Sequence, residues 1–263
     1  HWTHPKVELG TEIPVWVYSN CDEVELFFND TSLGKLIPGK DWDKMQCQWL
    51  VKWQPGTLKA VGYKNGKIVS EEIIKSANTP SKIKLSVDGE PLGTMAEDIV
   101  QVRVTTTDNE DVFYPYGENR TYFNVLGAGK IKALDNGSPV DVEQHVGPNH
   151  RNAFYGLTRA YIESTNTSGA INLLASCILG EKKQITSNKV SIDTNILNLR
   201  GSEIYPIIEI FYTTNGAIPT VNSTKYTTSF EIAQETIVKA LIVMDGKSIQ
   251  ILEEQFGKNE GFT

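Results

Sequence analysis

Residues 13–35, IPVWVYSNCDEVELFFNDTSLGK, constrain the fold of this chain more than any other stretch. Val15 and Val17 alternate with Trp16 and Tyr18, and further on Val24, Leu26 and Phe28 alternate with Glu23, Glu25 and Phe27. A period of two sends successive side chains to opposite faces, so these segments are predicted to be half-buried strands. Residues 19–22 between them, and Asn29-Asp30 after them, carry turn chemistry. No segment of the chain has helical apolar spacing long enough to compete with this pattern.

The same period recurs downstream. Met45, Cys47, Trp49, Val51 and Trp53 fall on one face of a strand and Gln46, Gln48 and Lys52 on the other, which predicts Trp49 and Trp53 in a core. Asn65-Gly66 suits a type I′ hairpin turn, and residues 78–81, NTPS, read as a linker. Ile83, Leu85 and Val87, then Val100, Val102 and Val104, give two more half-buried strands. Residues 138–152, with Pro, Gly and two His, read as a surface loop.

A chain of 263 residues suits two or three domains of roughly 100 residues. Its net charge of −7, with no basic run longer than Lys182-Lys183, argues against a nucleic-acid partner. Apolar runs near residues 204–211 and 238–244 fall far short of the roughly 18 residues that a spanning helix needs. Cys21, Cys47 and Cys177 show no zinc spacing, and a Cys21–Cys47 bridge stays open. The chain opens on His1 and shows no signal-peptide pattern there.

The wording of residues 13–35 resembles the immunoglobulin-like domain that follows the catalytic barrel in bacterial family 2 glycoside hydrolases, the β-galactosidase-like enzymes. His1-Trp2 is similar to the start of the motif that leaves the barrel, although Thr3-His4 departs from it. Phe123-x-Val125-x-Gly127, residues 135–139 (DNGSP) and Arg151-x-Ala153-Phe154-x-Gly156 resemble the second such domain. Residues 210–216 (IFYTTNG), Tyr226, Phe230 and Asp245-Gly246-Lys247 resemble the C-terminal domain of chitobiase and hexosaminidase-type enzymes, with Asn215 in place of an Asp. The resemblance implies an all-β chain of three consecutive immunoglobulin-like β-sandwich domains, 1–78, 79–192 and 193–263, with no catalytic barrel. It implies a non-catalytic C-terminal portion of a glycoside hydrolase, whose partner is the barrel of the parent chain. A periplasmic or cell-surface parent is the matching expectation. The alternative is a free-standing carbohydrate-binding or adhesion array, with oligosaccharide as partner.

A retaining glycosidase needs two carboxyl groups about 5 to 5.5 Å apart. The two Asn-Glu pairs, Asn109-Glu110 and Asn259-Glu260, lie in polar segments that offer little desolvation, so no catalytic residue is assigned. Residues 108–111 lack the spacing of a calcium loop, and His145 and His150 lack that of a metal pair, so no metal or cofactor is expected. The sequons at Asn29, Asn119, Asn166 and Asn222 are read as unmodified loop residues. Trp42, Tyr114 and Tyr116 lie off the core parity, and with Trp2 they are the candidates for contact with a glycan or with another domain.

Overall fold

The alternation in residues 13–35 becomes β1 (Glu12–Tyr18), β2 (Glu23–Phe28) and the start of β3 (Thr31–Leu36). The structure is a computed structural model that describes residues 1–39, 45–90, 92–93, 97–182, 188–233 and 235–257. Among the described residues it is all β, with no helix. The chain divides into two compact units, His1–Ala77 and Asn78–Thr263.

The first unit adds β4 (Gln46–Lys52), β5 (Thr57–Lys64) and β6 (Lys67–Lys75). β1 pairs with β4 in a two-stranded sheet, and the other strands form a sheet in the order β3-β2-β5-β6. The alternation decides what lies between the sheets: Val24, Leu26, Phe28 and Leu58 meet Cys47, Trp49 and Val51 in one core. Trp49 and Trp53 are buried, as the parity predicts, whereas Met45 is exposed because β4 begins one residue later. Trp53 Nε1 donates to the His4 carbonyl at 2.9 Å, so burying that indole leaves no orphan donor. Asn29-Asp30 and Asn65-Gly66 both adopt positive φ, at 45° and 64° and at 49° and 72°, as two-residue type I′ hairpins require. All three cysteines are free thiols, which closes the Cys21–Cys47 alternative.

In the second unit the strands are β7 (Lys82–Asp88), β8 (Ile99–Thr107), β9 (Arg120–Gly127), β10 (Gly129–Asp135), β11 (His150–Asn152), β12 (Leu157–Ser164) and β13 (Ile171–Leu179). They continue with β14 (Asn188–Arg200), β15 (Ile208–Thr213), β16 (Thr224–Lys225), β17 (Phe230–Ile232), β18 (Thr236–Met244) and β19 (Lys247–Phe256). Three sheets result, in the orders β10-β12-β8-β7, β11-β9-β13-β14-β17 and β16-β15-β18-β19. Ile83, Val100, Val102, Val104, Leu134, Ala160 and Ile162 of the first sheet pack on Phe123, Leu173, Ala175 and Cys177 of the second. On the opposite face of the second sheet, Tyr122, Ile178, Val190 and Ile192 pack on Val238, Ala240, Ile242, Leu252 and Phe256 of the third. β13 therefore lies in a middle layer, and all nine of its residues are buried. Its sequence, INLLASCIL, is the nearly unbroken apolar run that a strand covered on both faces requires.

β14 serves both cores. Residues 191–200 pair with β13, while Asn188, Lys189 and Val190 pair with β17. The boundary expected between residues 192 and 193 falls inside this 13-residue strand. One local reading also changes. Residues 150–152 form β11 against β9 with Arg151 fully buried, so the loop of 138–152 ends earlier than expected. After β15, Asn215 Oδ1 accepts the Ala217 amide at 3.1 Å in an Asx turn, and the chain then returns as β16 to pair with β15.

All five tryptophans lie in the first unit, so indole fluorescence reports its unfolding alone. Trp53→Ala removes a buried indole and is expected to cost about 3 to 5 kcal/mol, against under about 0.5 kcal/mol for the exposed Trp16→Ala. Denaturant titration of both variants checks this, and equal shifts of the fluorescence transition would refute the assignment of faces.

Candidate functional site

Trp2 does not present a face to a ligand. It is 2% exposed, packs 5.9 Å from the Trp53 ring, and donates through Nε1 to the Gln54 carbonyl at 3.0 Å. Tyr114 is corrected in the same way. At 5% exposure it sits under its own turn, where its N–H donates to the Thr106 carbonyl at 3.0 Å and its hydroxyl to Glu181 Oε1 at 3.4 Å. Burial, with Glu181 beside it, pushes its phenol far above the usual range. Gly156 explains the fit, since a Cβ there would run into the Tyr114 carbonyl. Tyr116 remains 39% exposed with its ring edge-on to Tyr114, while Trp42 lies outside the described residues.

The buried carboxylates Asp108, Glu163 and Glu254, and the half-buried Asp193, are each held by a structural partner. Asp108, read from sequence as part of a solvated turn, is fully buried and accepts the amides of Asn78, Glu110 and Val112 at 2.8 to 2.9 Å. Glu163 is clamped by Lys130 at 2.7 Å and Lys132 at 2.8 Å. Glu254 accepts the Arg120 amide at 2.7 Å and pairs with Lys182 at 2.9 Å, and burial raises its pKa. Asp193 accepts the Ile83 amide at 2.8 Å and is likewise raised by burial. Among the described residues no group of three or more His, Cys, Asp and Glu is placed to hold a metal ion. Asn119 is 1% exposed, so its sequon is sterically closed. His145 is more than a plain loop residue, because its Nδ1 lies 2.7 Å from Nη2 of the buried Arg151 and helps anchor residues 138–149.

Two surfaces escape a reading confined to single motifs. On the outer face of the β1-β4 sheet, Trp16 (54% exposed) and Tyr18 (68%) lie opposite Gln48 and Gln46, and Pro14 lies opposite Leu50 (62%). The parity that buries Val15 and Val17 already sends Trp16 and Tyr18 outward, so the signal was in the sequence. On the outer face of the β10-β12-β8-β7 sheet, Arg103, Asp135, Asn136, Gly137, Leu157, Arg159 and Tyr161 line a cleft of about 220 Å³. Asp88 bridges both guanidiniums, at 2.9 Å to Arg103 and 2.7 Å to Arg159, and Gln101 Oε1 accepts from Arg159 at 2.6 Å.

The model of the family described as "Glycoside hydrolase family 2 C-terminal domain 5" matches residues 83–186, the stretch that holds this cleft. The chain carries a C-terminal domain of the family 2 glycoside hydrolases. On either side of that domain, residues 10–70 match a domain of unknown function and residues 185–250 match "Chitobiase/beta-hexosaminidase C-terminal domain". A putative β-glucuronidase of Formosa agariphila is 41% identical over 99% of this chain, and a β-galactosidase of Bacteroides ovatus is 36% identical over 67%. The chain spans only 25% and 20% of those two relatives. The crystal structure of a β-glycosidase from Bacteroides vulgatus superimposes on 75% of this chain and 24% of its own, with 30% identity and a TM-score of 0.64.

Glu163 yields a pH prediction. Hydrogen bonds from Lys130 and then Lys132 hold its carboxyl below the ordinary value of 4.5. A depressed carboxyl stabilises the fold above its unfolded pKa, and that contribution is lost as pH falls through the folded one. Glu163→Gln is therefore expected to melt lower than the parent at neutral pH, with the gap closing as the solution is acidified below 4.5. Melting temperatures measured across that range check it, and a gap that widens in acid would reverse the sign.

Proposed function

We propose that this chain is the non-catalytic C-terminal portion of a family 2 glycoside hydrolase that degrades β-linked carbohydrate, and that it supports and positions the catalytic barrel of its parent. The observation that carries this reading is the alignment of 99% of the chain with one quarter of a β-glucuronidase, at 41% identity. The chemistry supports it: Asp108, Glu163, Asp193 and Glu254 are each committed to backbone amides or lysines, and that leaves none of them free to protonate a leaving group or attack an anomeric carbon. Trp16, Tyr18, Pro14 and Leu50 form the surface that we assign to the barrel. Rigid aromatics beside apolar side chains on a flat sheet gain more from desolvation against protein than from exposure to water.

Two measurements test the reading. Incubated with chromogenic β-galactosides and β-glucuronides, the chain is expected to match the buffer rate. Turnover that survives purification and disappears in Glu254→Gln would overturn the non-catalytic assignment. Mixed with a separately produced catalytic domain of the parent, the chain is expected to co-elute, and Trp16→Ser with Tyr18→Ser to abolish co-elution without lowering the melting temperature. Unchanged co-elution of the double variant would remove the β1-β4 face from the interface.

A further inference from the structure

Strand register places seven polar or aromatic side chains in a grid on the outer face of the β10-β12-β8-β7 sheet. One row across the strands is Ser86, Arg103, Arg159 and Asp135, and the next is Asp88, Gln101, Tyr161 and Ala133. Neighbours along a row sit about 5 Å apart, so their functional groups converge on one small area. Val100, Val102, Val104, Ala160 and Ile162, which alternate with them, fill the core beneath and fix the backbone that carries them.

Arg103 directly opposite Arg159 is a like-charge cross-strand pair, an arrangement that opposes folding when nothing balances it. Asp88 balances it by bonding one nitrogen of each guanidinium, and Gln101 holds a second nitrogen of Arg159. Each guanidinium has five N–H donors, so most of them stay open while both groups are held in place. At the rim, Asp135 Oδ1 accepts the Asn136 and Gly137 amides at 2.8 and 3.2 Å, and Gly137 turns the chain with φ of 74°. The Tyr161 ring lies beside these donors and acceptors in the same cleft.

We propose that this cleft binds a neutral pyranose residue of an oligosaccharide, with the sugar's C–H face on Tyr161 and its hydroxyls on Arg103, Arg159, Asp135 and Asn136. A sugar hydroxyl both donates and accepts, so it needs guanidinium donors and carboxylate or amide acceptors side by side, and the grid supplies both. Two arginines against two aspartates leave the cleft without net charge, which favours a neutral sugar over an anion. Pinning of the guanidiniums by Asp88 and Gln101 lowers the entropic cost of ordering them on a ligand. An aromatic ring beside such groups supplies the apolar face that a pyranose covers. The cleft would tether substrate to the accessory region rather than react with it. The proposal stands on the cleft alone, and it survives if the assignment of the parent enzyme fails.

The test is titration of the whole chain with galactose, β-1,4-galactobiose and cellobiose, followed by amide NMR, with glucuronic acid and sodium sulfate as separate arms. A neutral sugar is expected to shift Gly137, Arg159 and Tyr161 saturably, with a Kd on the order of millimolar. Tyr161→Ala is expected to weaken that binding by about tenfold and Tyr161→Phe by under about twofold, because the ring face is what matters. If Tyr161→Ala fails to fold, Arg103→Gln takes its place, with a similar loss expected. Absence of saturation by any neutral sugar up to about 100 mM, shifts confined to other residues, or a response to glucuronic acid and sulfate only would each overturn the proposal.

Discussion

The second unit depends on one constraint: the sheet that contains β13 must be buried on both faces at once. Leu173, Ala175 and Cys177 turn towards one sheet and Ile178 towards another, and no residue of the strand meets water. A strand in that position cannot carry the usual polar outer face, and its run of apolar residues would be an aggregation hazard if either neighbour were removed. The layers are also joined by hydrogen bonds. Tyr122 of the middle sheet exchanges bonds of 3.1 Å with the backbone of Glu253 in β19, and Arg120 donates to Glu254. Residues 78–263 accordingly form one compact unit, with the middle sheet shared between its two cores.

Burial on this scale forces polar groups to be dealt with explicitly. Arg151 is fully enclosed, and its guanidinium donates to the Glu143 carbonyl at 2.9 Å and the Leu134 carbonyl at 3.2 Å, with Asp141 3.6 Å away. An unpaired buried guanidinium would be far more costly than the order it imposes, so the loop that follows β10 is held in one shape by the charge it covers. Asp108 and Glu254 show the same logic with the sign reversed. In each case the ionisable group looks functional when only its residue type and burial are considered, and its partners show that it holds a turn or a seam together.

Much of this was legible in the chain. Period-two alternation identified the strands around Val15, Leu26, Trp49 and Val102, and the Asn-Asp and Asn-Gly dipeptides placed two hairpins. What alternation cannot supply is which strand lies beside which. Tyr114 is off the core parity and is still buried, because Gly156 allows the turn to fold down against the sheet. Trp2 precedes any strand, so no parity applied to it, and only the tertiary fold brings its ring beside Trp53. The boundary expected at 192/193 lies within one strand that pairs with both β13 and β17, and such a strand has no local marker that distinguishes it from two.

The polar cleft illustrates the same limit from the side of function. Asp88, Gln101, Arg103, Asp135, Arg159 and Tyr161 are spread over 74 residues of sequence, and no two of them form a motif. Each is simply the outward member of an alternating pair whose inward member fills the core. Register alone gathers them, setting Arg103 against Arg159 and Gln101 against Tyr161. A face that had only to remain soluble could be met by scattered lysines and glutamates. Placing two arginines opposite one another, and then supplying Asp88 to hold both, is an arrangement that solubility does not require. The inward residues of these strands settle the fold, and the outward ones, free of that duty, are where binding chemistry can be placed without disturbing it.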